Sequence, residues 1–503
     1  MITRTYSATI EGMTPTVIEI EIESTQGMPG CIIIGLPSLA VSEAKERITA
    51  ALASCGVPIK ARRTIINLAP ADVKKTSSHL ELGIAVGILK HYSLISEETE
   101  KTLYLGELSL DGTLKPIKGA LALVLAAEQF GFSKVVLPLA NWPEVHMLTS
   151  IQLKPLASLS HLLTGETATI PATNAQTVTP EPSLPHIIGQ EHALRAATIA
   201  AAGKHNILFL GSPGAGKSVL ARSMPALLPE LTAAESLEVT GIHSLAGNAH
   251  AGLLTAAPFR APHHTTSLAG LLGGGSPFQP GELTLAHRGV LFLDELPEFA
   301  RNCLEALREP LETQTVSISR ATGKFTVPAD TLFVAAANPC PCGHLGSVTQ
   351  PCRCSPHAQQ NYLQKFSGPL LDRIDLHVWV DPVDPALLIT GEAGTNPRLY
   401  FAKLRTAVST ARALQAARFK NSVYTCNAQI LSKDLTHFCP LSHSGKNFLV
   451  AAAKKLKLSP RALHTCIKIA RTIADLAGDT DISDTALAEA VQYRQQLLPD
   501  VLH

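Results

Sequence analysis

The chain has 503 residues, of which 46% are hydrophobic and 17% charged; this favours a globular protein of several domains, because one core rarely organises so long a chain. Its formal net charge of +1 excludes a strong overall basic surplus, so any contact with nucleic-acid phosphates must come from locally placed Lys and Arg. The sequence shows neither an apolar run long enough to span a bilayer nor a signal peptide, so we expect a cytoplasmic protein without a membrane partner.

Residues 1–165 alternate between strand and helix patterns and predict a first α/β domain. The predicted elements are strands Thr16–Ile22 and Cys31–Ile34, helix Ser38–Ser54, strand Thr64–Leu68, helices Leu80–Ile95 and Gly119–Gln129, and strand Lys134–Pro138. Residues 166–184 are rich in Thr, Pro and Ala without a periodic apolar face, so they predict a linker.

Residues 185–384 alternate between strands and helices again and predict a second α/β domain. From residue 385 onward a short stretch with Gly and Pro leads into a region dominated by helical spacing. The helices predicted there are Phe401–Phe419, Gly445–Leu456, Arg461–Leu476 and Ser483–Leu498.

A complete phosphate-binding motif, G-x-x-x-x-G-K-[ST], follows the apolar run Ile207–Leu210 and precedes a helical stretch. Its residues are Gly211, Ser212, Pro213, Gly214, Ala215, Gly216, Lys217 and Ser218. Glycines let successive backbone N–H groups turn toward phosphates, and the helix start adds positive potential. We expect Lys217 to reach the β- and γ-phosphates of ATP and the Ser218 hydroxyl to ligate Mg²⁺.

A second motif strengthens this prediction. The buried strand pattern from Gly289 ends in Asp294 and Glu295, which suit a magnesium-orienting carboxylate and a general base for the attacking water. Asn338 follows the apolar run Leu332–Ala337, where an amide could position that water. Given both motifs, a core strand with a merely solvated acidic end is the weaker interpretation.

Two arginines lie where they could contact a nucleotide. Arg373, in the segment Gly368–Asp375, could reach the nucleotide of a neighbouring subunit, and Arg461 opens a helix of the C-terminal region. Taken alone, each could equally be a surface or ion-pair residue. An arginine supplied by a neighbour would stabilise charge in the transition state and would require a ring or another oligomer.

Four further motifs carry a resemblance to a known family. They are FRAPHH (Phe259–His264), PGELTLAHRGVLFLDELPEF (Pro280–Phe299), ANPCPCG (Ala337–Gly343) and SGPLLDRID (Ser367–Asp375). Over nearly the whole chain the sequence resembles the magnesium-chelatase-like AAA+ proteins of the YifB/ComM family. The resemblance implies an α/β fold with an N-terminal Lon-protease-like, S5-like domain, a central P-loop AAA+ domain of αβα layers and a C-terminal helical lid.

The resemblance also implies a function and residue roles. A homohexameric, ATP- and Mg²⁺-dependent DNA helicase is expected, which promotes branch migration of single-stranded or branched recombination intermediates during natural transformation. Asn338 becomes sensor 1, Arg373 an arginine finger from a neighbour, and Arg461 sensor 2 from the lid of the same subunit. Rival readings are a chelatase-type motor that remodels a protein partner, a Lon-like protease, and an assembly scaffold with slow ATP turnover.

Two segments of the central domain are candidates to project from the AAA+ core. Ser218 and Asp294 are far enough apart for an insertion, which we place at His243–Ser276. Val316–Val327 alternates around Ala-Thr-Gly and predicts a hairpin. Arg320 and Lys324 lie near its tip and could bind DNA phosphates, although an ordinary solvated turn is nearly as good an interpretation for each residue.

The first domain resembles the proteolytic domain of Lon through Leu68–Asp72, Gly106–Gly112 and Gly119–Pro138. A Ser–Lys pair would be needed for that chemistry. The Ser position falls on His79 and the Lys position on Leu121, which predicts a noncatalytic scaffold or a DNA-contacting ring. A shifted alignment that restores a Ser–Lys pair stays open, because Lys74, Lys75, Ser77 and Ser78 lie close to His79. A DNA contact stays open through Arg62 and Arg63.

Four of the ten cysteines cluster in two Cys-x-Cys pairs, and the others are scattered, which argues against a disulfide framework. The clustered residues are Cys340, Cys342, Cys352 and Cys354. They could surround one structural Zn²⁺ in tetrahedral geometry, with His344 or His357 as an alternative ligand. Reduced loop cysteines without a metal are the competing interpretation.

Overall fold

The structure is a computed structural model of the chain. It describes residues 2–494 except 27, 29, 36–38, 60–61, 74, 76–77, 97–99, 167–168, 171–186, 188, 249–251, 276–277, 321–322, 347–349, 367 and 384–396. The chain forms two compact units: residues 1–179 with 232–255 and 274–280, and residues 180–231 with 256–273 and 281–503. Within the described residues, no helix is long and apolar enough to cross a membrane.

The first unit is built on a seven-stranded sheet. In spatial order its strands are Gly30–Ile34, Arg63–Ala69, Thr14–Thr25, Thr3–Glu11, Thr102–Tyr104, Lys134–Pro138 and Gln152–Leu156. The strand Thr14–Thr25 runs antiparallel to both of its neighbours, and the remaining pairs are parallel. Alternating apolar residues explain this strand, because Ile18, Ile20 and Ile22 are fully buried on one face.

Helices cover this sheet, and apolar residues from both layers form its cores. The helices are Leu39–Ser54, Glu81–His91, Ala120–Gln129, Trp142–Val145, Ser160–Thr164 and Ala233–Leu245, with 3-10 turns at Ser78–Leu80 and Leu139–Asn141. A small two-stranded ladder joins Glu107–Leu108 to Leu114–Lys115. The helix Ala233–Leu245 belongs to this unit although it follows the phosphate loop in sequence; it begins with a capping box between Thr232 and Glu235.

The second unit contains a five-stranded, fully parallel sheet. In spatial order its strands are Phe259–Arg260, Val290–Leu293, Leu332–Ala337, Ile207–Leu210 and Leu376–Trp379. Numbered along the chain, the spatial order of the strands is 2-3-4-1-5. The first strand, Ile207–Leu210, therefore lies between the fourth and the fifth, and the strand order reverses there. Ligands of such sheets bind outside the carboxyl ends of the strands, and the phosphate loop follows Ile207–Leu210 at that edge.

Helices complete the second unit. In the core they are Glu191–Gly203, Lys217–Leu227, Leu268–Leu272, Glu282–Leu285, Arg301–Ala306, Pro310–Thr313, Pro356–Leu363 and Gly368–Leu371. A 3-10 turn at Leu296–Glu298 also belongs to the core. In the C-terminal region the helices are Pro397–Arg418, Leu435–Phe438, His443–Leu456, Pro460–Ala477 and Asp484–Gln492, with 3-10 turns at Asn427–Gln429 and Ser432–Asp434. One apolar cluster contains residues of the sheet and of the C-terminal helices, so the two parts share a core. The predicted α/β class with a helical C-terminal region is confirmed.

Several short or flanking strands remain. Thr315–Arg320 and Gly323–Pro328 pair antiparallel, as the sequence predicted for a hairpin before the strand Leu332–Ala337. The two residues between them and the side chains of Arg320 and Lys324 lie outside the described set. Gly273–Gly274 and Gln279–Pro280 are two-residue strands in the stretch predicted as an insertion. Most of the predicted linker, residues 171–184, also lies outside the described residues.

Candidate functional site

The phosphate loop turns sharply between a buried strand and a helix that begins at Lys217. Gly214 and Gly216 have φ angles of +78° and +93°, a backbone region that side chains with a Cβ rarely adopt. This turn places successive N–H groups at the start of the helix, where an anion is stabilised by the unpaired donors and by the helix dipole. The loop therefore has the backbone of a phosphate site.

Lys217 is the first residue of the helix after this loop and is almost fully buried. Its Nζ donates to the carbonyl oxygens of Gly211 at 2.7 Å and Ser212 at 2.8 Å, and to Oδ1 of Asn338 at 3.0 Å. Burial lowers the pKa of Lys217 to about 8, although the nearby charges of Asp294 and Glu295 raise it. Its partners among the described residues are neutral oxygens, and a polyphosphate would bring it a directly bonded anion.

The two residues predicted to hold magnesium are in contact. Ser218 Oγ, in the helix after the phosphate loop, donates to Oδ2 of Asp294, just after the strand Val290–Leu293, at 2.7 Å. Ser212 Oγ is buried without a partner among the described residues. A buried hydroxyl that lacks a partner is costly unless a ligand satisfies it, so the donor set fits a bound Mg²⁺–nucleotide.

Glu295 adopts a left-handed backbone conformation, with φ of +51°, and its side chain is largely exposed. Its Oε2 lies 3.7 Å from Nδ1 of His264, and the ring centroids of His264 and His263 are 4.0 Å apart with the rings tilted by 35°. The sequence had marked His264 only as part of a motif and gave it no role. Its contact with the predicted general base makes it a residue of the site.

Arg373 and Arg461 share one carboxylate, a relationship that the sequence did not predict. Oε1 of Glu312 accepts from Nη2 of Arg373 at 3.0 Å and from Nη2 of Arg461 at 2.8 Å. Burial raises the pKa of Glu312, but the two arginines outweigh this and hold it below its ordinary value. The carboxylate is therefore charged, and it brings both guanidinium groups to one place.

This arginine pair lies at the edge of the sheet opposite to the phosphate loop. Asn206 immediately precedes the strand Ile207–Leu210, and its Nδ2 donates to the carbonyl oxygen of Arg373 at 2.9 Å. The phosphate loop begins after that strand, about 13 Å farther along at the usual rise of a parallel strand. Arg461 therefore lies away from the phosphate loop of its own chain, and its expected role as sensor 2 of the same subunit stays a prediction.

The pair opens into a cleft of about 730 Å³ within the second unit. Four of the residues that line it are cationic: Lys204, Arg373, Arg461 and Lys468. Arg373 is further fixed by donating from Nε to the carbonyl oxygen of Arg308 at 3.1 Å and from Nη1 to that of Pro369 at 2.7 Å. A cleft with this lining suits phosphates or another anionic group.

The four clustered cysteines come together. Their sulfur atoms all lie within 4.8 Å of one another, and each is a free thiol. His357, one of the two alternative ligands, instead contacts Asn361 through Nδ1 at 3.2 Å. The group of Cys340, Cys342, Cys352 and Cys354 therefore needs no histidine to reach four donors.

The Lon-like positions of the first unit do not form a nucleophile–base pair among the described residues. His79 is buried, and Leu121 packs in the apolar core. Ser78 donates to Glu107, and Nζ of Lys75 donates to the carbonyl oxygen of Pro70. Lys74 and Ser77 lie outside the described residues. Arg62 and Arg63 are exposed, as a DNA contact or an ordinary surface would both require.

Known proteins are similar to this chain in sequence over nearly its whole length. Models of the magnesium chelatase subunit ChlI match residues 183–388 and 20–141, and a model of its C-terminal part matches residues 401–494. Competence protein ComM of Haemophilus influenzae is 39% identical over 97% of this chain and 96% of its own length. YifB of Escherichia coli is 37% identical, with coverages of 96% and 95%, and an uncharacterized protein of Mycobacterium tuberculosis is 37% identical, with 98% of each chain covered. The chain therefore belongs to the YifB/ComM family of magnesium-chelatase-like AAA+ ATPases.

Proposed function

We propose that this chain is the subunit of a homohexameric ring that hydrolyses ATP to move on DNA and to drive branch migration of recombination intermediates. The observation that carries the proposal is the pairing of Arg373 and Arg461 on Glu312, at the edge of the sheet opposite to the phosphate loop. In this proposal one chain carries the two halves of an ATPase site on opposite edges of its sheet. Copies arranged head to tail would complete each other's sites, and a closed ring satisfies every one of them.

The phosphate side of each site would bind and orient the nucleotide. Lys217 and the loop N–H groups hold the phosphates, while Ser218 and Asp294 hold magnesium. Magnesium supplies positive charge at the phosphate oxygens. Glu295 accepts a proton from the attacking water, and Asn338 fixes the orientation of that water and of the Lys217 ammonium.

The arginine side would come from the neighbouring chain. Arg373 and Arg461 are both held ready by Glu312, whose single carboxylate is exposed by almost half. A nucleotide of the neighbour offers more negative charge than one carboxylate, so both guanidinium groups would turn to its phosphates. Charge that develops during phosphoryl transfer would then be stabilised only in an assembled ring.

DNA as the substrate is supported by a relative and by the hairpin. The relative from Haemophilus influenzae is named a competence protein, and the family resemblance of the sequence implies a role in natural transformation. The antiparallel hairpin Thr315–Pro328 precedes the strand that leads to Asn338, so a pull on the hairpin would be transmitted to the site. Arg320 and Lys324 would bind backbone phosphates, and such contacts are salt-sensitive and nearly independent of sequence.

The test compares ATP turnover with and without forked or three-way DNA, for the unaltered chain and for Glu295→Gln. We expect DNA to raise turnover of the unaltered chain, and Glu295→Gln to bind nucleotide and DNA with almost no turnover. If DNA neither binds nor stimulates turnover, the DNA motor is wrong while the ATPase stands. Strand displacement or branch migration assayed on the same substrates separates a motor from a DNA-stimulated ATPase.

Two other activities are less well supported. A chelatase-type motor that remodels a protein partner would turn over ATP without a response to DNA. A Lon-like protease would need a base beside a nucleophile, whereas Leu121 is apolar and Ser78 is bonded to Glu107. ATP-dependent cleavage of casein by the purified chain would support the protease and contradict this assignment.

A further inference from the structure

The four-cysteine cluster has the dimensions of a metal site. Cys340 Sγ lies 3.4 Å from Cys342 Sγ and 3.6 Å from Cys352 Sγ, and the last two are 3.5 Å apart. Four thiolates at the usual Zn–S distance of 2.3 Å form a tetrahedron with edges of about 3.8 Å. The three Sγ–Sγ distances are close to that edge length and much longer than the S–S bond of a disulfide. The geometry therefore favours a shared ion over disulfides.

Hydrogen-bond donors surround the sulfur atoms as they would surround bound thiolates. Cys340 Sγ accepts from the N–H of Leu345 at 3.3 Å, and Cys354 Sγ accepts from the N–H of Cys342 at 3.4 Å. Cys352 Sγ accepts from Nε2 of Gln359 at 3.3 Å. Donors of this kind orient metal ligands and stabilise their negative charge, and neutral thiols need none of them.

The loop that carries the cluster packs directly against the phosphate loop. It starts two residues after Asn338, and Gly343 turns there with φ of +80°. A Cβ added to Gly343 would lie 2.4 Å from Cδ of Pro213, a residue of the phosphate motif. At the other end of the turn, a Cβ on Gly346 would lie 3.2 Å from the ring of Trp379. The cysteine loop therefore follows Asn338 directly and packs against Pro213 at Gly343 and against Trp379 at Gly346.

We propose that Cys340, Cys342, Cys352 and Cys354 bind one structural zinc ion, and that the metal-held loop braces Pro213 and Asn338 in the geometry that binds nucleotide. Zinc with four thiolate ligands has no open position, so it takes no part in hydrolysis. The bracing role rests on the proposed ATPase function; the zinc site itself does not.

Zinc content and nucleotide affinity are measured separately on the purified full-length chain. Elemental analysis is expected to give about one zinc per chain, since four thiolates complete one coordination sphere. Double substitution Cys352→Ser/Cys354→Ser is expected to abolish binding, and the matched control Cys55→Ser, a half-buried cysteine of the first unit, to retain it. Zinc well below one per chain, before and after incubation with zinc salt, would overturn the site.

The bracing role is tested on zinc-stripped protein, so that no substitution is needed. Removal of zinc by a chelator is expected to weaken binding of a fluorescent ATP analogue by about tenfold, and zinc addition to restore it, because small displacements in such sites have large effects. Unchanged affinity after stripping would contradict the brace. If the zinc-loaded chain does not bind the ATP analogue at all, the proposed ATPase function is wrong, and the bracing role falls with it. The zinc site itself would still be supported by the zinc content.

Gly343→Ala provides a second readout that keeps all four ligands. The added methyl group would displace Pro213, so we expect weaker nucleotide binding at full zinc content. Gly478→Ala is the matched control, because Gly478 has a φ of +81° but nothing within 4 Å of the added atom. Equal effects of the two substitutions on nucleotide affinity would contradict a contact-specific brace.

Discussion

Nζ of Lys217 donates a hydrogen bond to Oδ1 of Asn338 across 3.0 Å. The contact joins the end of the strand Leu332–Ala337 to the helix Lys217–Leu227, which follows the neighbouring strand Ile207–Leu210. Asn338 therefore holds the ammonium that would receive the phosphates, in addition to its proposed contact with water.

We expect Asn338→Ala to lower ATP turnover by about two orders of magnitude while nucleotide affinity changes only a few-fold, since loss of one preorganised contact acts mainly on the transition state. Steady-state turnover and equilibrium binding measure the two effects. Asn447→Ala, at an exposed position whose amide contacts His443, is the control and should change neither. A large loss of affinity without loss of turnover would contradict this role.

His264 is expected to restrain the carboxylate of Glu295. The two side chains are 3.7 Å apart and partly exposed, and pairs of this kind contribute about 0.5–1 kcal/mol. Removing the restraint by His264→Ala should raise DNA-independent turnover by roughly two- to five-fold with little change in KM. His443→Ala, at a site distant in sequence, is the control. A fall in DNA-independent turnover would contradict this role and show that His264 instead aids Glu295 as a base.

Acid should destabilise the first unit through His79. Burial lowers the pKa of His79 to about 4, against a smaller opposite effect of Glu107. Protonation therefore favours the unfolded chain: the contribution of neutral His79 is complete above its ordinary pKa of about 6.5 and is lost as pH falls toward 4. The loss amounts to at most roughly 3 kcal/mol.

Denaturant unfolding between pH 4 and 8 checks this prediction. His79→Asn should lose less stability than the unaltered chain over the acid half of that range. His161→Asn, at a half-buried position of the same unit, should follow the unaltered chain. Parallel curves for His79→Asn and the unaltered chain would show that His79 does not titrate as expected.

Continuous apolar runs were the most reliable guide to the fold. The strands Ile207–Leu210, Leu332–Ala337 and Lys134–Pro138 begin and end at the predicted residues, because buried parallel strands lack polar interruptions. Strand Thr3–Glu11 was missed, since its buried positions include Ser7 and Thr9. Ser7 satisfies its hydroxyl by donating to the carbonyl oxygen of His79, a partner 72 positions away that no local pattern reveals.

The candidate site likewise contains residues that local patterns could predict and contacts that depend on tertiary packing. Residues on one motif or one strand end, such as Lys217 and Asp294, could be assigned from spacing. The position of Arg461 depends on how the C-terminal helices pack on the core and on Glu312, which belongs to no motif. The contact of His264 with Glu295 joins segments 31 positions apart in sequence, and its only local signal was the His-His pair.

The most direct test of a site shared between chains is a mixing experiment. Lys217→Ala removes the phosphate side, and Arg373→Ala or Arg461→Ala removes the arginine side, so each variant should be nearly inactive alone. Subunits of Lys217→Ala mixed with either arginine variant should recover part of the ATP turnover, because some interfaces then combine an intact Lys217 with intact arginines. If mixing restores no turnover although the variants assemble together, the arginines serve their own chain and the composite site is wrong.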